Sequence, residues 1–224
     1  METQYTRLEY LFDKDLEKIK NSKVCVVGLG GVGSIAMESL VRTGVGELTI
    51  CDFDVINVSN INRQIITNHN NIGIKKVDAS KKLCEDINPN IKLNIYDKKI
   101  DENNLEFFNY GFDYLIDAID DVNAKLLLYK ECLKRNITFI SSMGTAKKLN
   151  PQKFKIIDLK KTSYDPLAKT LRKKCRDLGI DGKIMVVCSE EEPMDINNLG
   201  SYMPVVSTAG LLCSDYIIKE ILRR

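Results

Sequence analysis

Between a short apolar run, Val24-Cys-Val-Val27, and a helical pattern that begins at Ser34, the chain places glycines at 28, 30, 31 and 33. Gly28, Gly30 and Gly33 fit G-x-G-x-x-G, which in that setting predicts a strand, a tight turn and a helix whose first amides can receive phosphate. The next apolar run, Glu47-Leu-Thr-Ile-Cys51, ends in Asp52 and completes a βαβ unit of the length parallel pairing requires. A carboxylate at that strand end is placed to accept hydrogen bonds from ribose hydroxyls. The spacing points to an adenine nucleotide and leaves NAD and ATP both open.

Further strands are expected at 92–96, 114–116 and 138–140, separated by helices at about 75–87 and 122–135. After Pro151 a strand at 153–157, a basic helix at about 165–177 and a strand at 183–188 precede an acidic loop and a last helix, with Ala209, Leu212, Cys213, Tyr216, Ile217 and Ile221 on one stripe. The fold class expected is α/β: a Rossmann-like, doubly wound, mostly parallel sheet with a C-terminal strand and helix elaboration. The whole chain, 1–224, reads as one domain: an N-terminal helical arm at 1–22, a nucleotide-binding core at 23–150 and the elaboration at 151–224. The longest uncharged run, 196–214, carries two Asn, three Ser, a Thr and a Pro, so no membrane span is expected. Seven cysteines without a C-x-x-C pair argue against a disulfide framework or a zinc ribbon. Reduced thiols and a cytoplasmic location follow as expectations.

The residues after Asp52 bear on the choice of nucleotide. The segment Asp52 to Gln64 adds a second carboxylate, Asp54, several amides and Arg63, and Lys76 follows a turn at Gly73. Hydride transfer needs no cations around the phosphates, whereas displacement at an α-phosphate builds charge on the transferring oxygens and on pyrophosphate. Asp120, past the fourth strand, stands where such a sheet opens its crevice and could hold Mg. The plainer reading makes Arg63 and Lys76 surface charges and Asp120 a helix N-cap.

With these residues in order, the chain resembles the ThiF/MoeB/HesA family, relatives of the adenylating half of ubiquitin-activating enzymes. The matching stretches are Val26 to Ser34, Arg42 to Gly46, Asp52 to Gln64, Gly73 to Val77, Ile87 to Pro89 and Asp117 to Asp120. Within that family it is most similar to the branch that dehydrates threonylcarbamoyladenosine in tRNA. That narrower likeness rests on Arg7-Leu8, Ser142 to Ala146 with Asn150-Pro151, Asp158 to Arg172, and Ser189 to Pro193 with Gly200-Ser201 and Pro204.

The resemblance implies adenylation of a carboxylate with Mg-ATP, with Gly31, Asp52, Asp54, Asn60, Arg63, Gln64, Lys76, Asp120 and Asp121 around ATP. Arg63 and Lys76 would neutralise phosphates, Asp120 would ligate Mg, and Arg7 would enter the site of the other subunit of a homodimer. Sulfur-carrier activators of this family usually hold zinc in two C-x-x-C pairs, which this chain lacks. The tRNA-modifying reading is therefore preferred, and a MoeB/ThiF-like adenylyltransferase acting on a sulfur-carrier C-terminus is the rival. A sulfur-transfer protein partner belongs to the same set of expectations.

In threonylcarbamoyladenosine the nucleophile is tethered to the activated carboxylate, so no enzyme thiol is required. Cys175, Cys188 and Cys213 are read as packing residues, and His69, the one histidine, as a loop residue. Between Lys153 and Arg176 nine basic residues meet two acidic ones, a local excess of +7 that leaves −5 for the rest of a chain whose total is +2. Lys160, Lys161, Lys169, Arg172, Lys173, Lys174 and Arg176 are the candidates for tRNA phosphate contacts.

Overall fold

The computed structural model describes residues 2–223. Its strands run over Lys23–Val27 (β1), Glu47–Cys51 (β2), Lys92–Tyr96 (β3), Tyr114–Asp117 (β4), Thr138–Ser142 (β5), Phe154–Asp158 (β6) and Met185–Ser189 (β7). They form a seven-stranded sheet in the order β3-β2-β1-β4-β5-β7-β6, as a Rossmann-like fold requires of its first five. Every neighbouring pair is parallel except β6, which runs antiparallel to β7. Residues beyond Pro151 thus extend the same sheet rather than building a second one.

The helices are Thr6–Phe12 (α1), Leu16–Lys20 (α2), Gly33–Thr43 (α3), Lys76–Ile87 (α4), Val122–Arg135 (α5), Pro166–Asp177 (α6) and Met203–Arg223 (α7). Both faces of the sheet are covered, which is why β1 reads Val-Cys-Val-Val without alternation. Val24 and Val26 point into a core shared with Met37 and Leu40 of α3 and Val205, Ala209 and Ile217 of α7. Cys25 and Val27 point into the opposite core, with Leu128 and Tyr129 of α5 and Leu171 of α6. Of the stripe read on the last helix, Ala209, Cys213, Ile217 and Ile221 are buried and Leu212 and Tyr216 partly so, and Val205, Val206, Gly210 and Ile218 extend the buried face.

Two features position the crevice. The turn after β1 is closed so tightly that a Cβ at Gly33 would lie 1.7 Å from the Gly28 carbonyl oxygen, and Gly28 itself has φ +88°. Beneath the C-terminal ends of β4 and β5 lies an ion pair between Asp117 and Lys125, 2.9 Å apart with both side chains 0% exposed. The Lys125 ammonium also donates to Ser141 Oγ and to the Ser142 carbonyl, each at 2.9 Å. Ser141 Oγ in turn donates to Asp117 Oδ2 at 2.6 Å, and Tyr129 OH donates to Ser141 Oγ at 2.8 Å. All three ammonium protons are therefore used, one strand to the next.

Removing one member of such a pair leaves the other charge buried and uncompensated. Lys125→Met should cost about 3–5 kcal/mol of unfolding free energy in urea titration. A loss below about 1 kcal/mol would show that the buried pair does not hold α5 to the sheet.

Candidate active site

The register sets Val27 level with Cys51 on one side and with Asp117 on the other. The chain leaves β1, β2 and β4 at one edge, and because α3 and α5 depart to opposite faces, a crevice opens there. It is a cavity of about 730 Å³.

Gly28, Gly30 and Gly31 make one wall of it. Among the described residues the amides of Gly30, Gly31 and Val32 have no acceptor, while the Leu29 amide donates to Asp52 Oδ2 at 2.7 Å. Asp52 Oδ1 accepts from the Asp54 amide at 2.8 Å. The aspartate read as a ribose ligand thus also ties the glycine turn to the end of β2. Burial pushes its carboxyl up, against the opposing pull of Lys76 and of the two amides. Lys76, buried at the start of α4, places its ammonium 2.7 Å from Asp54 Oδ2 and 3.8 Å from Asp52 Oδ2.

Asn60, Arg63 and Gln64 form the next side of the cavity. Arg63 Nη1 donates to the Ser59 carbonyl at 2.7 Å and to Asn62 Oδ1 at 2.8 Å, and no carboxylate among the described residues pairs with it. Gln64 is buried and its Oε1 has no hydrogen-bond partner. Unpaired amides, an uncompensated guanidinium and an orphaned amide oxygen are what a site for a phosphorylated polar ligand presents before that ligand arrives.

Asp120 is exposed at the rim and makes no ion pair or hydrogen bond among the described residues. Its neighbour Asp121 caps α5, Oδ1 accepting from the Ala124 amide at 2.8 Å. The N-cap reading therefore falls on Asp121 and leaves Asp120 free. No group of three or more His, Cys, Asp and Glu among the described residues is arranged to hold a metal.

Two candidates lie outside the cavity. Gly33 packs under the turn instead of lining it. Arg7 is exposed on α1, a helix with no buried residue, and does not reach the cavity of its own chain.

Other lining residues are not among the expected site residues, although Ser142 to Ala146 and Ser201 lie in stretches that carry the narrower likeness. Lys98 and Lys99 follow the end of β3 and add two cations, and the segment Ser142–Ala146 after β5 forms the far wall. Ser201 closes over the crevice, its carbonyl accepting from Asn62 Nδ2 at 3.0 Å. A lysine pair two residues past a strand end was the available signal for the first; the likeness marked the other stretches without saying that they face the cavity.

The basic helix forms as expected, but its cations are not equivalent. Lys169, Lys173 and Arg176 are exposed on one stripe of α6, and Lys161 is exposed in the turn before it. Arg172 is tied to the Thr162 carbonyl and hydroxyl, Lys160 pairs with Asp181 at 3.1 Å, and Lys174 donates to Asn123 Oδ1 at 3.1 Å. These three are partly committed to holding the fold. The acidic loop is likewise engaged: Glu191 accepts from the amides of Leu149 and Asn150.

All seven cysteines are free and buried. Burial is the first cause of the upward shift at Cys84 and at Cys188, each pushed to about 12. None has the exposed, electropositive setting of a reactive thiolate.

Fold and site together define a Rossmann-like α/β protein whose glycine turn and cations line one cavity, a setting suited to a phosphorylated ligand. The profile of the ThiF family matches residues 2–224, and the chain belongs to that family. It is similar to the tRNA threonylcarbamoyladenosine dehydratase of Bacillus subtilis, 40% identical over 241 residues that cover 98% of this chain and 95% of that protein. Crystal structures of E. coli tRNA N6-threonylcarbamoyladenosine dehydratase, TcdA, in complex with ATP and with AMP superpose with TM-scores of 0.94 and 0.93. Each is 31% identical, covering 98% of this chain and 94% of that one. A shorter match reaches the molybdopterin-synthase adenylyltransferase of Haemophilus influenzae, 36% identical over 143 residues, 62% of this chain and 59% of that protein.

Because the folded state keeps Cys84 and Cys188 protonated up to about 12 while an unfolded thiol titrates near 9.0, their contribution is intact below pH 9 and lost as pH rises toward 12. Denaturant titrations across that window should show falling stability, with a shallower decline in Cys188→Ala. Native protein should also resist iodoacetamide at pH 8 while guanidinium exposes all seven thiols; rapid native alkylation of Cys188 would contradict the packing role.

Proposed function

We propose that this chain is an ATP-dependent dehydratase acting on threonylcarbamoyladenosine in tRNA. The observation that carries the chemistry is the division of one cavity between free backbone amides with Arg63, Lys76, Lys98 and Lys99 on one side and an uncommitted carboxylate, Asp120, at the rim. The acceptor's carboxylate oxygen attacks the α-phosphate of ATP, the bond to the β-phosphate breaks, and pyrophosphate leaves. Arg63 and Lys76 balance the charge that collects on the transferring and leaving oxygens. The carbamoyl group of the same side chain then attacks the acyl adenylate, AMP departs and a proton is released, so the acceptor has lost one water.

Tethering supplies the effective concentration that a covalent enzyme intermediate would otherwise supply. The buried cysteines fit a route without one. Asp120 is the residue suited to share a Mg ion with the phosphates, since Mg is usually held by one or two carboxylates together with the nucleotide. The ion would add charge neutralisation at the oxygens that Arg63 and Lys76 do not cover.

The tRNA reading is preferred over a sulfur-carrier adenylyltransferase because likeness to the dehydratases runs through the β6–α6–β7 region, whereas the adenylyltransferase match covers 62% of the chain. The exposed stripe Lys169, Lys173 and Arg176 is the surface suited to a phosphate backbone. A homodimer would let Arg7 of a second copy reach the cavity that its own copy does not touch, and exposed Tyr10 and Leu11 on the same helix suit such a contact. A cytoplasmic location belongs with a tRNA substrate and reduced thiols; no helix among the described residues is long and apolar enough to cross a membrane.

Asp120→Ala should abolish AMP release from ATP in the presence of modified tRNA while ATP still raises the melting temperature; retained AMP release would remove Asp120 from the chemistry. Lys169→Glu with Lys173→Glu should weaken tRNA binding at all sequences and flatten its salt dependence by about 2 in log–log slope. An unchanged slope would move the tRNA surface elsewhere.

A further inference from the structure

We infer that the backbone of Gly144–Ala146 is the subsite that receives the acceptor's carboxylate, with Lys125 and Lys148 as its positioning residues. The inference rests on the reading that a carboxylate is adenylated in this cavity. Gly144, Thr145 and Ala146 line the same cavity as the glycine turn. Two buried lysines take carbonyls before and within this stretch: Lys125 takes the Ser142 carbonyl at 2.9 Å and Lys148 takes the Gly144 carbonyl at 2.9 Å. The peptide bonds are all trans, so each N–H points opposite to the preceding C=O. With the Gly144 oxygen directed at Lys148, which is 2% exposed, the Thr145 amide is directed to the other side.

Among the described residues the amides of Gly144, Thr145 and Ala146 and the Thr145 hydroxyl have no acceptor. The loop offers N–H dipoles rather than net charge, because Lys148 is neutralised by Asp165 at 3.1 Å, both side chains 1% exposed. Dipoles orient a carboxylate without pairing it to a full cation, which keeps its oxygen nucleophilic. Placement agrees: the exit of β5 lies two strand spacings, about 10 Å, from the exit of β1, with Asp120 after β4 between them. Phosphates on the β1 side and a carboxylate on the β5 side would meet beside Asp120. Asp165 also caps α6, Oδ1 accepting from the Ala168 amide at 2.8 Å, so the same ion pair ties the subsite to the basic helix.

The test uses the full chain with a non-hydrolysable ATP analogue and two probes, the free nucleoside N6-threonylcarbamoyladenosine and its carboxamide counterpart. Wild type should bind the carboxylate about tenfold more tightly, the difference expected of charge-assisted hydrogen bonds. Thr145→Pro, which removes the amide, and Lys148→Met with Asp165→Asn, which frees the Gly144 carbonyl and keeps the cap, should each bring the ratio near one. Both should leave the affinity for the ATP analogue unchanged and raise KM for modified tRNA. In wild type, the Thr145 amide proton should shift downfield in NMR spectra with the carboxylate probe and not with the carboxamide; this readout needs no variant. An unmoved Thr145 amide, or variants that keep the carboxylate preference, would overturn the subsite even if wild type converts modified tRNA. Wild type that releases no AMP with modified tRNA would overturn the functional reading instead.

Discussion

The Asp117–Lys125 ion pair does more than bind α5 to the sheet. Both charges are fully buried, so the pair is tolerable only because every proton of the ammonium has a partner and Ser141 and Tyr129 complete the network. Asp117 also accepts from the Ile119 amide at 3.3 Å, which orients the turn leading to Asp120. Through the Ser142 carbonyl the same lysine fixes the start of the loop after β5. One buried interaction thus sets two walls of the cavity, and a second, Lys148 with Asp165, carries that order to α6. A cavity built this way is organised before its ligands bind, which is the condition under which fixed dipoles act on a developing charge without reorganising.

The sheet and the nucleotide side of the site were readable because they depend on short-range patterns. A glycine turn that admits no Cβ at residue 33, an acid at the end of β2 and a cation at the start of α4 are local in sequence and constrained by sterics and charge. Asp121 and Asp120 show where such reading loses resolution. Two adjacent acids before a helix offer the same signal, and only the backbone shows that Asp121 takes the cap. Lys125 and Lys148 were invisible for another reason: lysines read as surface residues, and their burial depends on Asp117 and Asp165, brought to them by tertiary packing. The same holds within the basic segment, where Arg172, Lys160 and Lys174 carry charge but are held by neighbours.

The near-neutral total of +2 conceals this division of labour. The rest of the chain, net −5, presents its cations to the cavity from α4, from the loop carrying Arg63 and, as the pair Lys98 and Lys99, from beyond the end of β3. A basic helix joined to that part of the chain at Leu167, itself on the cavity wall, adds a local positive field suited to drawing in a polyanion. That arrangement suits a substrate whose reactive side chain is small and whose remainder is a long phosphate backbone.

In the proposed reaction the activated carboxylate belongs to a modified tRNA nucleoside, and the nucleoside's own carbamoyl group completes the cyclisation. Mass spectrometry of nucleosides from threonylcarbamoyladenosine-bearing tRNA, after incubation with the protein, Mg and ATP, tests it most directly. The expected result is a product lighter by one water, formed one for one with AMP. An unchanged nucleoside, with AMP appearing only when a small protein ending in Gly-Gly is added, would contradict it.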